Sequence, residues 1–189
     1  MRIVSLVPSL TLTLFDLGLD ATSIVGRTPW CIHPAEQVSD VPVVGGTKTP
    51  TLSKIKGAQP DLVVMDRDEN PKSVHDWCVA NGLPTFVCDV RHPRDVPLML
   101  RELGQAVNRS EAAEVHARAI EAMLRRAPDT NGRTALPLIW HRPLMAANGT
   151  TYAGNMLACL GFNVPNIEPD GTGYPCLLYT SDAADERQS

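Results

Sequence analysis

The stretch Gln59-Pro60-Asp61-Leu62-Val63-Val64-Met65-Asp66, followed at once by Asn70-Pro71, decides the fold. An uninterrupted apolar run of this length, led in by proline and aspartate, is the pattern of a strand buried on both faces, as in parallel sheets. Asn70-Pro71 then starts a helix, with proline expected at its first position. Val74, Trp77 and Cys78 fall on the inner face of that helix and Gly82 stops it. Thr85 to Cys88 is a second strand. Strand, helix and strand in this order make a crossover unit, and crossovers imply strands that run parallel.

The same alternation extends outward. Residues 2–6 form a β-rich run that ends at Val7-Pro8. Ser9 is expected to cap a helix that Gly18 terminates, although Leu10, Leu12 and Leu14 alternate with Thr11 and Thr13 in strand fashion. Ile24-Val25 and Val43-Val44 read as short strands, and Thr51 as the cap of a helix through Gly57. Beyond residue 88, Val96, Met99, Leu100, Leu103 and Val107 recur at helical spacing. A second helix starts at Ser110, with Glu111 and Glu114 early and Arg125 and Arg126 late, as the helix dipole favours. Its inner stripe is expected to be Val115, Ala119, Met123 and Ala127, with Pro128 ending it and a turn over 129–132. A strand over 134–140, a helix over 152–160 and the start of a strand over 162–164 complete an α/β pattern.

Bulk properties narrow the function classes. Of 189 residues, 43% are hydrophobic and 20% charged, a globular balance that disfavours disorder. The net charge of −4 and the lack of a basic stripe argue against a nucleic-acid surface. No apolar run is long enough to span a membrane. No basic and then apolar leader opens the chain, so as written it is expected to stay in the cytoplasm. The five cysteines, at 31, 78, 88, 159 and 176, show no C-x-x-C spacing, which supports neither a zinc ribbon nor a disulfide framework. Residues 176–186 match the translation of a transposase-based sequencing adapter. Residues 176–189 are therefore read as an artefact tail, Cys176 is discounted as a ligand, and the second lobe is expected to be cut short.

In open parallel sheets ligands bind beyond the carboxyl ends of the strands. That rule selects the loops at Pro8-Ser9, 30–33, 66–70, Arg91-His92 and 140–142. Cys31 and His33 are a thiolate and an imidazole two residues apart, a pair that can face one soft or borderline metal. Two ligands do not close a metal site, and a buried cysteine beside a loop-capping histidine is the competing reading. Trp30 and Trp140 offer flat faces to a macrocycle, or else pack at strand ends. Asp66, Arg67, Asp68 and Glu69 form a charge run of the kind that usually stays solvated. His92, His141 and Arg142 are further candidates to line a ligand site. Gly45-Gly46-Thr47-Lys48-Thr49 lacks the glycine a phosphate loop needs where Thr47 stands. There is no G-x-S-x-G elbow, no H-E-x-x-H and no catalytic dyad.

Taken as a set, these residues resemble a known family. Arg2-Ile3-Val4-Ser5-Leu6-Val7-Pro8-Ser9 is similar to the opening of the helical-backbone metal receptor superfamily, the cluster A (class III) substrate-binding proteins of cobalamin, haem and ferric-siderophore importers. Val25-Gly26-Arg27-Thr28-Pro29-Trp30-Cys31-Ile32-His33-Pro34 resembles the cobalamin-binding-protein-like branch, as do residues 44–50, 59–64, 66–70, 139–152 and 173–175. The resemblance implies two Rossmann-like lobes with parallel sheets. The boundaries would be 1–109 for the first lobe, 110–127 for a long interdomain helix and 128–175 for the start of an incomplete second lobe. It implies a non-enzymatic monomer that holds cobalamin or an iron chelate between its lobes, uses no catalytic cofactor, and serves an ABC permease at the periplasmic or cell-surface side. Carried over by position, Trp30, Cys31, His33, Asp66, Arg67, Trp140, His141 and Arg142 would contact ligand. Ser53 stands where the family has a permease-docking glutamate, and His141-Arg142 where the branch often has Arg-Asp. A cytoplasmic carrier or sensor of a corrinoid or metal chelate is the alternative, and a small enzyme on a flavodoxin-like scaffold a second one.

Overall fold

A computed structural model describes residues 1–126, 132–167 and 173–177. The chain divides into two compact units, Met1–Asp89 with Met99–His116, and Val90–Leu98 with Ala117–Ser189.

The first unit is built on a four-stranded sheet. Its strands are β1 (Ile3–Ser5), β2 (Ile24–Arg27), β3 (Leu62–Asp66) and β4 (Thr85–Cys88), in the order β2-β1-β3-β4. All three pairings are parallel. The connections carry α1 (Pro8–Asp16), α2 (Ala35–Val38), α3 (Leu52–Gly57) and α4 (Lys72–Ala80). β1 is buried throughout, Ser5 included, and β3 at its four apolar residues, as strands inside a parallel sheet are. Val4, Leu6, Val63 and Met65 pack with Val44, Ile55, Val74 and Cys78 into one core cluster. Gly26 admits this packing, since a Cβ there would stand 2.7 Å from a methyl of Val44 and 3.1 Å from one of Val4.

Helix starts differ in detail from the sequence reading. Val7, not Ser9, is the N-cap of α1, and Pro8 takes the first turn, where a missing N–H costs nothing. Gly18, at φ +83°, ends it as expected. Pro71 is itself the N-cap of α4, one position before its expected place. Thr51 caps α3 by position without a side-chain hydrogen bond. Val43-Val44 is reduced to one parallel bridge, Arg27 with Val43.

Helices α5 (Val96–Ala106) and α6 (Ser110–Leu124) appear where their periodicity places them. The inner face of α6 is not the expected one. Val115 and Met123 are exposed at 68% and 67%, whereas Ala113 and Ala117 are buried. Close approach explains the reversal. A Cβ on Gly104 would lie 2.3 Å from the Cβ of Ala113, so α5 and α6 approach closely at small residues. Arg101 Nε donates to Glu114 Oε2 at 2.6 Å beside that contact.

The second unit holds the 3₁₀ turn Pro93–Asp95, β5 (Leu138–Trp140), β6 (Met145–Ala146) and α7 (Tyr152–Cys159). The strand expected over 134–140 is split. Thr134 forms a parallel bridge with Asn163, and β5 pairs with β6 in antiparallel fashion. Pro137 lies at the break, and a proline cannot donate to a ladder. Thr151 caps α7 by accepting from the Gly154 N–H at 3.1 Å. The expected helix end at 127–128, most of the turn over 129–132 and the tail from residue 178 lie outside the described residues. Among the described residues no helix is long and apolar enough to cross a membrane.

Candidate ligand-binding site

The first unit has an open groove of about 440 Å³, lined by Val7, Pro8, Ser9, Trp30, Thr47 and Glu69. Its position follows from topology. Val7 to Ser9 leave β1, Trp30 follows β2 and Glu69 follows β3, so the groove lies beyond the carboxyl ends of parallel strands. Three of the loops selected from sequence therefore meet in one place.

Asn70 holds two of those walls to the loop at Thr47. Its Nδ2 lies 3.3 Å from the Leu6 carbonyl and 2.9 Å from the Thr47 carbonyl. Its Oδ1 accepts from the Asp66 N–H at 2.9 Å, and its own N–H donates to the Asp66 carbonyl at 2.9 Å. One amide thus ties the ends of β1 and β3 to the intervening loop. Asp66 points inward along its own turn, its Oδ1 accepting from the N–H groups of Asp68 and Glu69. Lys48 Nζ donates to the Asp68 carbonyl at 2.6 Å, closing the outside of the same region. Arg67 is turned to the end of β4, where Nη1 meets Asp89 Oδ2 at 2.5 Å. The hydrogen bond to Asp89 raises the guanidinium pKa further, so Arg67 stays charged. The charge run 66–69 is therefore an ordered turn, with Glu69 alone among its members lining the groove.

The turn after β2 separates the residues that the sequence put together. Trp30 is 67% exposed and Cys31 only 1%. The Cys31 sulfur lies 3.1 Å from Thr11 Oγ1 and 3.2 Å from Thr28 Oγ1, inside the unit. His33 is exposed. Thiol and imidazole are thus not presented on one face. Among the described residues no group of three or more His, Cys, Asp and Glu side chains is arranged to hold a metal ion.

In the second unit Trp140 is exposed, and its Nε1 donates to the Arg142 carbonyl at 2.8 Å. That bond closes the turn between β5 and β6, which carries His141 and Arg142 on its exposed surface. His92 Nδ1 accepts from the Arg94 N–H at 3.0 Å, and its Nε2 lies 4.0 Å from the Cys159 sulfur.

Sequence reasoning passed over Thr47 and Asn70 as site residues. Thr47 stood in a failed motif, and Asn70 read only as a helix start. The one available signal was that Asn70 directly follows the strand-end loop, where an amide can bond backbone on both sides.

Comparison with known proteins bears on these observations. No curated protein matches the chain. Among solved structures, the periplasmic vitamin B12 binding protein BtuF of Vibrio cholerae superposes with a TM-score of 0.79 at 16% identity, over 97% of this chain and 72% of that one. The periplasmic heme-binding protein RhuT of Roseiflexus sp. RS-1 gives 0.77 at 24% identity, over 93% and 70%. A periplasmic heme binding protein of Pseudomonas aeruginosa gives 0.78 at 20% identity, over 97% and 68%. At these identities the likeness establishes the α/β fold expected from the sequence. A family model described as periplasmic binding protein matches residues 3–166, nearly all of the chain outside the tail. The chain belongs to the periplasmic binding protein family, whose members bind ligands and are not enzymes.

Proposed function

We propose that this protein captures a corrinoid and passes it to an ABC importer. The observation that carries the reading is the lining of the groove: one exposed indole, the hydroxyl side chains Ser9 and Thr47, the apolar Val7 and Pro8, and the carboxylate of Glu69. None of these six side chains is cationic. A corrin ring edge carries uncharged amides, whose N–H groups suit hydroxyl and carboxylate acceptors. Haem propionates and ferric siderophores bring negative charge, which Glu69 and its neighbours Asp66 and Asp68 repel. The Trp30 face supplies area for a flat macrocycle at low entropy cost. His33 and Asp66 of the first unit, and Trp140 and His141 of the second, are the further proposed contacts, whereas Arg67 is engaged by Asp89 and Arg142 serves through its carbonyl, which holds the Trp140 indole. In this reading Cys31 is a structural thiol and not a ligand to metal. Similarity to both vitamin B12 and heme binding proteins is compatible with either chelate, and the lining favours the corrinoid.

Spectral and calorimetric titration with cyanocobalamin and with haemin tests the reading. Cobalamin is expected to bind and to raise the unfolding temperature, by about 2.7 kcal/mol of linkage at a hundredfold excess over Kd. Haemin is expected to do neither. Binding of haemin alone would transfer the reading to haem, and binding of neither would remove the chelate altogether. For the importer, deletion of the gene should lower corrinoid uptake by the cell. Unchanged uptake would leave a binding protein without that partner.

A further inference from the structure

We propose that Cys31 is a positioning residue, a buried hook that fixes the exposed Trp30 indole at the mouth of the groove. The inference rests on the ligand site proposed above and gives one of its parts a mechanism.

An indole left two-thirds in solvent has little packing of its own to define its direction. What defines it here is the next residue. The Cys31 sulfur is enclosed between Thr11 and Thr28, both fully buried. Thr28 Oγ1 lies 3.2 Å from the sulfur, within the same turn as Trp30. The Cys31 N–H donates to the Thr28 carbonyl at 3.2 Å, and the Ile32 N–H to the Trp30 carbonyl at 3.0 Å, so the turn is closed on both sides of Trp30. Arg27 braces its base, Nε donating to the Val38 carbonyl at 2.8 Å and Nη1 to the Thr28 carbonyl at 3.2 Å.

The second partner of the sulfur comes from the opposite wall. Thr11 belongs to α1, the helix whose first residues Pro8 and Ser9 line the groove. Its Oγ1 lies 2.8 Å from Ser5 Oγ, 2.9 Å from the Val7 carbonyl and 3.1 Å from the Cys31 sulfur. One hydroxyl hydrogen serves one of these acceptors at a time, so the S–H of Cys31 is free to donate back to either threonine. The result is a buried polar chain, Ser5, Thr11, Cys31 and Thr28, that links the end of β1 and α1 to the turn after β2. A sulfur suits the middle of it, because it is large enough to fill the space and weakly polar enough to be buried. Two walls of the groove are thereby set relative to each other, and Trp30 is set on one of them, before any ligand arrives.

The test uses Cys31→Ala, Cys31→Val and Cys31→Ser. In a W77F/W140F background Trp30 is the sole indole, and time-resolved anisotropy reads its local motion without ligand. Alanine and valine are expected to enlarge the fast component, and serine, which keeps a hydrogen-bonding group, to restore most of the order. Unchanged anisotropy in both alanine and valine variants overturns the proposal. Where alanine prevents folding, valine, which fills the space without a hydrogen-bonding group, carries the comparison. With the full complement of tryptophans, Cys31→Ala should weaken cyanocobalamin by about tenfold, the scale of one unfixed side chain at an interface. In a Trp30→Phe background the same change should have a smaller effect. Equal losses in both backgrounds overturn the hook, because Cys31 would then act without Trp30. If the unaltered protein binds no cobalamin, the ligand reading fails, while the anisotropy still decides whether the hook exists.

Discussion

Asn70 is 6% exposed and its side-chain amide reaches three backbone groups. Removing it strands the Leu6 and Thr47 carbonyls and the Asp66 N–H in a region where water substitutes poorly. Asn70→Ala is expected to cost about 1–3 kcal/mol, the range for buried groups left unpaired. Urea unfolding reads this as a lowered midpoint at constant slope; a change within about 0.5 kcal/mol, the surface-mutation range, would mean that the amide carries no strain-bearing role. Asp20 gives a residue-scale prediction in pH. Its Oδ1 accepts from Thr22 Oγ1 at 2.6 Å, from the Thr22 N–H at 3.0 Å and from the Ser23 N–H at 3.1 Å. The Thr22 hydroxyl, first, and then the Ser23 N–H hold its carboxyl below the usual aspartate pKa. A depressed folded value means the contribution is present above the unfolded pKa and is lost as pH falls through the folded one. In NMR titration Thr22→Ala should move the Asp20 midpoint upward, and Asp20→Asn should flatten the acid limb of the stability curve.

At the scale of elements, the contact between α5 and α6 is the most exacting. Gly104→Ala places a methyl 2.3 Å from the Ala113 Cβ, and the helices must part. Overpacking of this kind costs about 1–3 kcal/mol, and Ala113→Gly in the same chain should recover part of it. Thermal unfolding of the single and double variants measures both. The same contact shows what a sequence conceals. The length and period of α5 and α6 were plain, because they are local. The buried face of α6 was not, because apolar size pointed to Val115 and Met123, whereas a glycine on another helix selected Ala113. β3 and α4 were legible for the opposite reason, since an apolar run followed by Asn70-Pro71 admits few other structures. The strand over 134–140 reads as continuous from its apolar residues, and Pro137 is the local signal of its break. The groove was anticipated as a set of loops, from the rule of strand ends. Its fastenings were not, because Asn70 and Leu6 are 64 residues apart and Thr11 and Cys31 are 20 apart. No local pattern encodes such partners.

At the scale of the whole molecule, the order β2-β1-β3-β4 puts the first strand inside the sheet. β1 is paired on both sides, and Arg2 adds a clasp: its N–H donates to Asp61 Oδ2 at 2.7 Å and its Nη2 to the Ala58 carbonyl at 2.6 Å. Loss of residues 1–5 should therefore abolish cooperative unfolding, whereas an extension ahead of Met1, itself 47% exposed, should leave the transition where it was. Circular dichroism through a thermal ramp distinguishes the two. On the ribosome, the plank that belongs in the middle of the floor emerges ahead of both its neighbours. It must wait, with one edge unpaired, until Leu62–Asp66 has cleared the exit tunnel. A nascent chain stalled before that point can lay only Ile24–Arg27 against one edge, and chaperone capture should fall sharply once the plank for the other edge arrives.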